Sequence, residues 1–559
     1  MTQSRLVWQQ AIKIGLIGGL AGLLLALVGM VQVFSQRYII SDVISMGHTL
    51  LFLTMLFTGY LAAQRTTWPG RRAVLLNSLV AGLTGGIPLA LLVIVGSVVN
   101  LRLILIHASP ELYELLTFGQ GTLVGVLLLL AVSVFCGVLA GLFYLLPDLA
   151  RRVLLAPLAS VVVIGVLQDL VRTAIAAWGP LAVINEWLFA ANGLTLQGAA
   201  TIFILIAVVV YVRAKRGSEA QAKFHSLRPS TQRGLRMTGL FLLAVVLLIL
   251  PQILGLFLSE VLTIVGLYIL AGLGLNIVVG YAGLLDLGYV AFYAIGAYTL
   301  AILTSPELGF FSLSFWEALP FAIIMGVLSG VILGIPVLKM RGDYLAIVTL
   351  GFGEIIRLLV LSDALEPWLG GAQGIGLIPK PFIGGFELAG PQQIYYLILA
   401  GCLVVGFIAW RLRDSRLGRA WMAMREDEDV SEAMGINLVS TKLLAFATGA
   451  AFSALAGAIF ASKLGSVYPH SFNLMYSINV LCLVIVGGIG SIPGVIVGSI
   501  ALVGLPELLR EFAEYRMLVY GAALVAMMLL RPEGLWPEAI HQRELHAEET
   551  ESTAPAEVL

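Results

Sequence analysis

Long apolar runs separated by short polar stretches dominate this chain of 559 residues. A helix needs about 20 apolar residues to cross the hydrocarbon core of a bilayer, and most of these runs reach that length. The first part of the chain has six of them, at residues 12–34, 43–63, 74–99, 121–146, 153–178 and 195–212. The pattern predicts an all-α, polytopic membrane protein.

Basic residues follow every second run, and this alternation supports the count of six. Lys and Arg are retained on the cytoplasmic side of a membrane protein. The basic sites are Arg65, Arg71 and Arg72 after the second run, Arg151 and Arg152 after the fourth, and the polar stretch 213–236 after the sixth. We expect an uncleaved first span, an N-terminal membrane segment of about six helices at residues 1–212, and a cytoplasmic linker at 213–236.

About ten further apolar stretches follow the linker. The clear ones are at residues 238–258, 261–279, 287–303, 319–338, 344–361, 394–410 and 443–461. Glycines and Pro493 interrupt the last region, 478–530, which predicts short or broken helices, because protein or a cavity must then satisfy the freed backbone groups. We expect about 16 transmembrane helices, a second domain at 237–537, and a disordered acidic tail at 538–559.

The composition agrees with a membrane environment and excludes several functions. Only 11% of the residues are charged, whereas a soluble globular chain has about 25%. The net charge is zero, which gives no electrostatic basis for nucleic-acid binding. Cys136, Cys402 and Cys482 lie far apart inside apolar runs, so they predict no disulfide. The sequence has neither a G-x-x-x-x-G-K-[ST] loop nor a Cys/His cluster, and we expect no catalytic or metal site.

One dense charged stretch interrupts the second half. The sequence "GRAWMAMREDEDVSEAMGINLVSTKL", residues 418–443, holds five acidic and three basic residues. Four arginines lie just before it or at its start, which predicts a cytoplasmic position: Arg411, Arg413, Arg416 and Arg419. Apolar contact points are available at Trp421, Met424, Ala433 and Met434, and Gly435 is placed to end a helix. The stretch predicts a short helix that either docks a partner or is simply solvated.

Ionisable and polar residues inside the apolar runs are costly in a bilayer, so they must face protein or water. Glu354 and Arg357 are three residues apart, as are Asp169 and Arg172, and each pair could neutralise itself on one helix face. Further polar positions in or beside the runs are Asn276, Asp286, Asp343 and Asn479. Either ion pairs inside the bundle or the lining of a path for a polar solute would explain them.

Several stretches of the second half resemble the permease subunits of branched-chain amino acid ABC importers, the LivM type. Besides the charged stretch, they are "NIVVGYAGLLDLGYVAFYAIGAYTLAIL", "LKMRGDYLAIVTLGFGEIIRLLV", "GGAQGIG", "VLCLVIVGGIGSIPGVIVGS" and "RPEGLWP". They occur in the family's order over residues 262–537. Residues before about 236 have no counterpart in this resemblance.

The resemblance implies a permease that alternates between outward and inward access and hydrolyses nothing itself. No cofactor is bound directly, and ATP is used by the partner subunit. The implied partners are ABC ATP-binding subunits, an H-type permease subunit and an extracytoplasmic solute-binding protein, with the chain in the plasma (inner) membrane and both termini cytoplasmic. The implied coupling residues are Glu426, Asp427, Glu428, Asp429, Glu432, Ala433 and Gly435. Candidates for the translocation path are Asn276, Gly280, Gly283, Asp286, Asp343, Glu354, Gly371, Gln373, Gly374 and Asn479.

The solute and the driving force stay open at this point. Branched-chain or other apolar amino acids are the first expectation, and urea or short amides are the alternative within the same family. A secondary transporter driven by an ion gradient is a rival, with Glu354 as the best coupling carboxylate. A membrane scaffold without transport is a second rival, and the glycine-rich broken helices speak against it.

Overall fold

The computed structural model describes residues 2–66, 70–176, 182–226, 229–510, 515–531 and 533–537. The predicted acidic tail at 538–559 lies outside them. The chain divides into two compact units, Met1–Ala244 and Val245–Leu559, and the boundary falls inside one long helix. Residues 213–226 and 229–236, predicted as a polar linker, are helical.

The predicted all-α, polytopic architecture is confirmed, whereas the count of 16 spans is only approximate. Twelve helices among the described residues are long and apolar enough to cross a membrane. The predicted spans 238–258 and 261–279 lie in α11, Pro229–Leu275, and the π-helical turn after it, and α11 consists of two helices that meet at a kink at Gly255, inside the first predicted span. Two other apolar helices, Val290–Thr304 and Ile492–Leu508, are shorter than a full span.

The first unit contains ten helices among its described residues, and the long helix α11 leads from it into the second unit. Their bounds are α1 (Thr2–Leu27), α2 (Met30–Ser35), α3 (Met46–Gln64), α4 (Arg71–Val98), α5 (Pro110–Leu116), α6 (Thr122–Leu145), α7 (Asp148–Val166), α8 (Gln168–Ala176), α9 (Ala182–Leu188), α10 (Leu196–Ser226) and α11 (Pro229–Leu275). A 3₁₀ turn, Leu101–Leu103, precedes α5.

Helices α1, α3, α4 and α6 form one packed group in this unit. Glycines allow their backbones to approach closely, as small residues do in membrane helices. A Cβ atom added at Gly59 on α3 would lie 2.8 Å from the Cα atom of Gly137 on α6. Helices α7 and α10 form a second group around Val161, Phe189 and Leu194.

A small sheet lies at the N-terminal ends of α3 and α10. Its strands are β1 (Tyr38–Ile40), β2 (Ile44–Ser45), β3 (Phe189–Ala190) and β4 (Gly193–Leu194), in the order β2-β1-β4-β3. Only the β1–β4 pair is parallel. The predicted pairing of Asp169 with Arg172 is replaced here, because Asp169 binds Arg37 at 3.3 Å and Arg172 donates to the carbonyl of Ala190.

The second unit contains the remaining elements. Its helices are α12 (Val290–Thr304), α13 (Phe315–Val337), α14 (Asp343–Leu361), α15 (Glu366–Leu369), α16 (Pro391–Arg413), α17 (Arg416–Glu426), α18 (Glu428–Ala433), α19 (Leu438–Leu464), α20 (Leu474–Gly487), α21 (Ile492–Ser499), α22 (Leu505–Leu508) and α23 (Arg516–Leu530). π-Helical turns occupy Asn276–Tyr281 and Ile500–Gly504, 3₁₀ turns occupy Asp363–Leu365, Gly371–Gln373 and Pro469–Ser471, and a hairpin joins β5 (Phe382–Ile383) to β6 (Phe386–Glu387).

The kink in α11 shows how the protein satisfies a broken helix inside the membrane. Pro251 has no N–H, so the carbonyl of Leu247 loses its helical donor, and Gly255 adopts a φ of 75°. The hydroxyl of Tyr395 on α16 donates to that carbonyl at 3.1 Å. Gln392 donates to the Pro251 carbonyl at 3.0 Å. Helix α16 therefore supplies the hydrogen bonds that the kink removes, as bilayer insertion requires.

Helix α19 is the centre of the second unit and packs against α12 and α13. Its 27 residues span about 40 Å, which exceeds the roughly 30 Å hydrocarbon core. A Cβ atom added at Gly296 would lie 2.1 Å from the Ala454 carbonyl oxygen. Gly296, the one glycine of α12, thus allows close packing against α19.

Candidate coupling site

The charged stretch at residues 418–443 forms two short helices, α17 and α18, rather than the single one predicted, and its last residues begin α19. Asp427 separates α17 from α18 in an extended conformation, and its carboxylate accepts from the Val430 N–H at 2.9 Å. This N-cap begins α18. Gly435 follows the end of α18 with a φ of 90°, and the Ile436 N–H donates to the Ser431 carbonyl at 3.0 Å. The predicted helix end at Gly435 is confirmed.

Apolar and polar contacts fasten this pair of helices to the membrane domain. The Trp421 side chain is fully buried, and its indole N–H donates to the Thr441 carbonyl of α19 at 2.9 Å. Met424 is buried beside it. Helix α17 is therefore held against the first turn of α19 and cannot swing freely.

A cluster of charges, centred on Glu428, fixes α18. Lys442 is 2% exposed and binds the Glu428 carboxylate at 2.9 Å. Arg341, in the turn before α14, binds Glu428 at 2.9 Å and Asp429 at 2.6 Å. The hydrogen bond and the positive charge of Arg341 hold the pKa of the Asp429 carboxyl below its ordinary range. Glu428 therefore faces the protein, although the sequence grouped it with the outward contacts.

The other predicted coupling residues lie on the outer surface. We define the docking face as the exposed residues Glu426, Asp427, Asp429, Val430, Glu432, Ala433, Met434 and Gly435. Met434 is 80% exposed and Val430 is 58% exposed, and four carboxylates surround them. An apolar tip surrounded by charge is typical of a protein–protein contact, since exposed apolar patches rimmed by polar residues mark interaction sites.

Arg425 links the docking face to a break in the first core helix. Its guanidinium donates to the Gly280 carbonyl at 2.7 Å. Gly280 belongs to the π-helical turn Asn276–Tyr281, and such turns often occur at functional sites. The Arg425 stem also packs on Gly283, where an added Cβ would lie 2.8 Å from Cγ. The sequence did not single out Arg425, although it stands inside the charged stretch.

The same turn contacts the glycine-rich break between α20 and α21. The Asn276 amide oxygen accepts from the Gly490 N–H at 2.9 Å. The "RPEGLWP" motif pairs with this break, because the N–H groups of Leu535 and Trp536 donate to the carbonyls of Val486 and Gly487 at 2.8 and 2.9 Å. The structure thus brings together three stretches that are far apart in the sequence. The predicted interruption of the region 478–530 is confirmed by the end of α20 at Gly487.

The other path candidates do not lie together. Asp343 is exposed at the start of α14, and Glu354 forms the predicted ion pair with Arg357. Gly371 and Gly374 are buried and Gln373 is exposed in a loop that bonds to Val467, beyond the end of α19 opposite the docking face. Asn479 lies beside the Tyr268 hydroxyl.

Asp286 is the most unusual of these candidates. Its side chain is fully buried, and one oxygen accepts from the Gly288 N–H at 2.9 Å. The second oxygen has no hydrogen-bond partner among the described residues. The nearby Thr349 hydroxyl accepts from Leu287 and donates to Ala346. A buried carboxylate oxygen without a donor is costly, so it marks a functional candidate.

Comparison with known proteins finds relatives of the second half of the chain. Residues 257–528 match the family model described as branched-chain amino acid transport system / permease component. This part of the chain is similar to that permease family. The protein is 43% identical over 269 residues to LivM of Escherichia coli (strain K12), named a high-affinity branched-chain amino acid transport system permease protein. That match covers 44% of this chain and 62% of LivM.

Two further relatives agree. A probable LivM of Methanocaldococcus jannaschii is 26% identical over 44% of this chain and 74% of its own length. LivH of Escherichia coli (strain K12), a permease protein of the same named system, is 35% identical over 22% of this chain and 41% of its own length. No solved structure matches the chain. The predicted resemblance is confirmed, with the family match at residues 257–528, and the protein is a multi-pass membrane protein.

The part of the chain that matches this family model contains the docking face, Arg425 and the broken helices. Among the residues that the structure describes, no group of three His, Cys, Asp or Glu side chains is placed to hold a metal ion. The arrangement is suited to transmitting movement. The exposed acidic docking face is linked by the Arg425 hydrogen bond to a helix break inside the membrane domain.

Proposed function

We propose that the chain is the transmembrane permease subunit of an ATP-driven importer, which moves branched-chain or other apolar amino acids into the cytoplasm by alternating access. It hydrolyses no ATP and binds no cofactor itself, and a separate ABC subunit uses the ATP. The contact from Arg425 to the Gly280 carbonyl carries this proposal, because it joins an exposed docking face to a helix break.

The partners follow from the same geometry and from the relatives. The docking face offers four carboxylates around an apolar tip, so its partner on the ATP-binding subunit is basic with an apolar groove. An H-type permease subunit would pair with the membrane domain, and an extracytoplasmic binding protein would deliver the solute. On this proposal the chain lies in the inner membrane, with the docking face and both termini in the cytoplasm.

The docking face can be tested at Glu432, which is exposed and outside the charge cluster of Glu428. We expect Glu432→Lys to lower uptake by tenfold or more, since like charges at an interface cost on the order of several kcal/mol. The measurement is solute uptake together with co-purification of the ATP-binding subunit. Glu387→Lys, an equally exposed reversal in the β5–β6 hairpin, should leave both unchanged. If Glu432→Lys co-purified with the ATP-binding subunit and supported uptake as the unchanged protein does, the docking face would not be the contact with that subunit.

Asp286 supports an amino-acid solute over urea or a short amide. A carboxylate oxygen without a donor is suited to an ammonium group, which amino acids carry and urea and amides lack. Asp286 also supports a second candidate function, a secondary transporter driven by an ion gradient, because a buried carboxylate could bind a coupling proton instead of a solute. Glu354 is less suited to that role, since Arg357 neutralises it.

We expect Asp286→Asn to keep the protein in the membrane and to lower uptake by roughly tenfold to a hundredfold, because a hydrogen bond to a charged group is worth about 1.5–3 kcal/mol. The readouts are the uptake rate and its KM. Asp363→Asn, which changes an exposed carboxylate outside the path candidates, is the control. Unchanged KM and rate in Asp286→Asn would exclude this residue from the path.

One experiment tests the whole proposal. The chain is co-purified with the products of neighbouring transport genes, reconstituted in vesicles, and assayed for ATP hydrolysis with the binding protein and single solutes. We expect leucine, isoleucine or valine to stimulate hydrolysis and urea to have no effect. Uptake by the chain alone under an ion gradient would instead support the secondary transporter.

A further inference from the structure

A large apolar cleft lies within the N-terminal unit, which the permease family does not cover. It has a volume of about 410 Å³ and is lined by residues of α3, α7, α10 and the small sheet. On α3 the lining residues are Thr49, Phe52, Leu53 and Leu56, and on α10 they are Leu196, Ala199, Ala200 and Phe203. Each set follows the spacing of one helix face and extends about 10 Å along its axis.

The sheet closes one end of this cleft, and the lining grows more exposed towards its mouth. Ile39 on β1 is 3% exposed and Ala199 is 5% exposed, so they form the floor. Leu158 and Leu196 are 42% and 67% exposed, so they form the rim. Because α3, α7 and α10 are all long and apolar enough to span a bilayer, the cleft lies at a depth where the surrounding fluid is lipid.

The lining chemistry excludes a polar solute. Thr49 is the one polar residue in the lining, and its hydroxyl already donates to the Ser45 carbonyl at 2.8 Å. An apolar cavity of this size is costly when empty and is not hydrated when no polar partner lines it. An apolar occupant therefore stabilises this part of the protein.

A flexible hydrocarbon chain suits this lining, because it can follow the helix faces for about 10 Å and adapt to their width.

A charge pair stands near the closed end. Arg37, which precedes β1, binds Asp169 at the start of α8 at 3.3 Å, and the two side chains are 36% and 41% exposed. A pair that presents both signs is complementary to a zwitterionic phospholipid headgroup, whereas a free fatty acid carries one negative charge. We propose that this cleft binds an acyl chain of a zwitterionic membrane phospholipid, as a structural lipid site of the N-terminal unit.

The test uses the full chain in vesicles of phosphatidylethanolamine and phosphatidylglycerol. A phosphatidylethanolamine with a photoactivatable group at the end of its acyl chain is added, and the cross-linked residues are identified by mass spectrometry. We expect labelling concentrated on the lining of α3, α7 and α10. Ala200→Phe should abolish this enrichment by filling the cleft, whereas Ala131→Phe, at an exposed position of α6, should leave it unchanged.

Three outcomes would overturn the proposal. Labelling spread evenly over all lipid-facing helices would mean that the cleft has no preference for a lipid. Equal labelling by a photoactivatable free fatty acid would contradict the phospholipid. Rapid reaction of Ala200→Cys with a membrane-impermeant maleimide would show that the cleft holds water. None of these measurements depends on transport activity, so they test the lipid site separately from the proposed function.

Discussion

Replacing Arg425 by methionine is expected to separate ATP hydrolysis from transport. The guanidinium of Arg425 is bonded to the Gly280 carbonyl at 2.7 Å, inside the π-helical turn of the first core helix. Methionine keeps the unbranched stem that packs on Gly283 and removes the charged donor. A hydrogen bond from a charged group is worth about 1.5–3 kcal/mol, so uptake should fall by roughly tenfold to a hundredfold.

The readout that distinguishes this role from simple misfolding is the ratio of uptake to hydrolysis. Co-purification of the ATP-binding subunit should persist in Arg425→Met, because the docking face is unchanged. Hydrolysis should continue, while its stimulation by solute and the uptake itself decline. Arg419→Met is the matched control, since Arg419 donates only to the local Asp414 carbonyl among the bonds described. An Arg425→Met complex with full uptake per ATP would refute the link.

Apolar periodicity was sufficient to predict the membrane architecture, but not the points where helices join or break. The sequence separates the spans 238–258 and 261–279 at Ser259 and Glu260. In the structure the break is a kink at Gly255, and Tyr395 and Gln392 of α16 bond the carbonyls of Leu247 and Pro251 beside it. A sequence pattern cannot reveal such compensation, because the donors are about 140 residues away.

The docking face was predictable from its charge, whereas its internal contacts were not. Glu426, Asp427 and Glu432 could be assigned outward because acidic residues between apolar runs must meet water. Glu428 stands among them with the same side-chain chemistry, yet it turns inward to Lys442. Its orientation depends on the break at Asp427 and on Arg341 from a different loop, and neither constraint is visible in a local pattern.

The pair of Glu428 and Lys442 yields the largest expected effect on stability. Lys442 is 2% exposed and Glu428 is its carboxylate partner at 2.9 Å. Removing one member of a buried ion pair costs about 3–5 kcal/mol, because the other charge is left without compensation. We expect Glu428→Gln to lower the temperature at which the purified protein loses its fold in detergent. Glu432→Gln changes an exposed carboxylate that forms no ion pair among the described residues, so it should have no such effect.

A double variant shows whether the loss comes from the unpaired lysine. Replacing a whole buried pair by uncharged groups is often neutral, so Lys442→Met combined with Glu428→Gln should recover most of the stability that Glu428→Gln loses. Arg341 would still bind Asp429 at 2.6 Å, which keeps α18 attached. If the double variant were less stable than either single one, Glu428 and Lys442 would contribute independently, and their ion pair would not be what holds the docking face against the membrane domain.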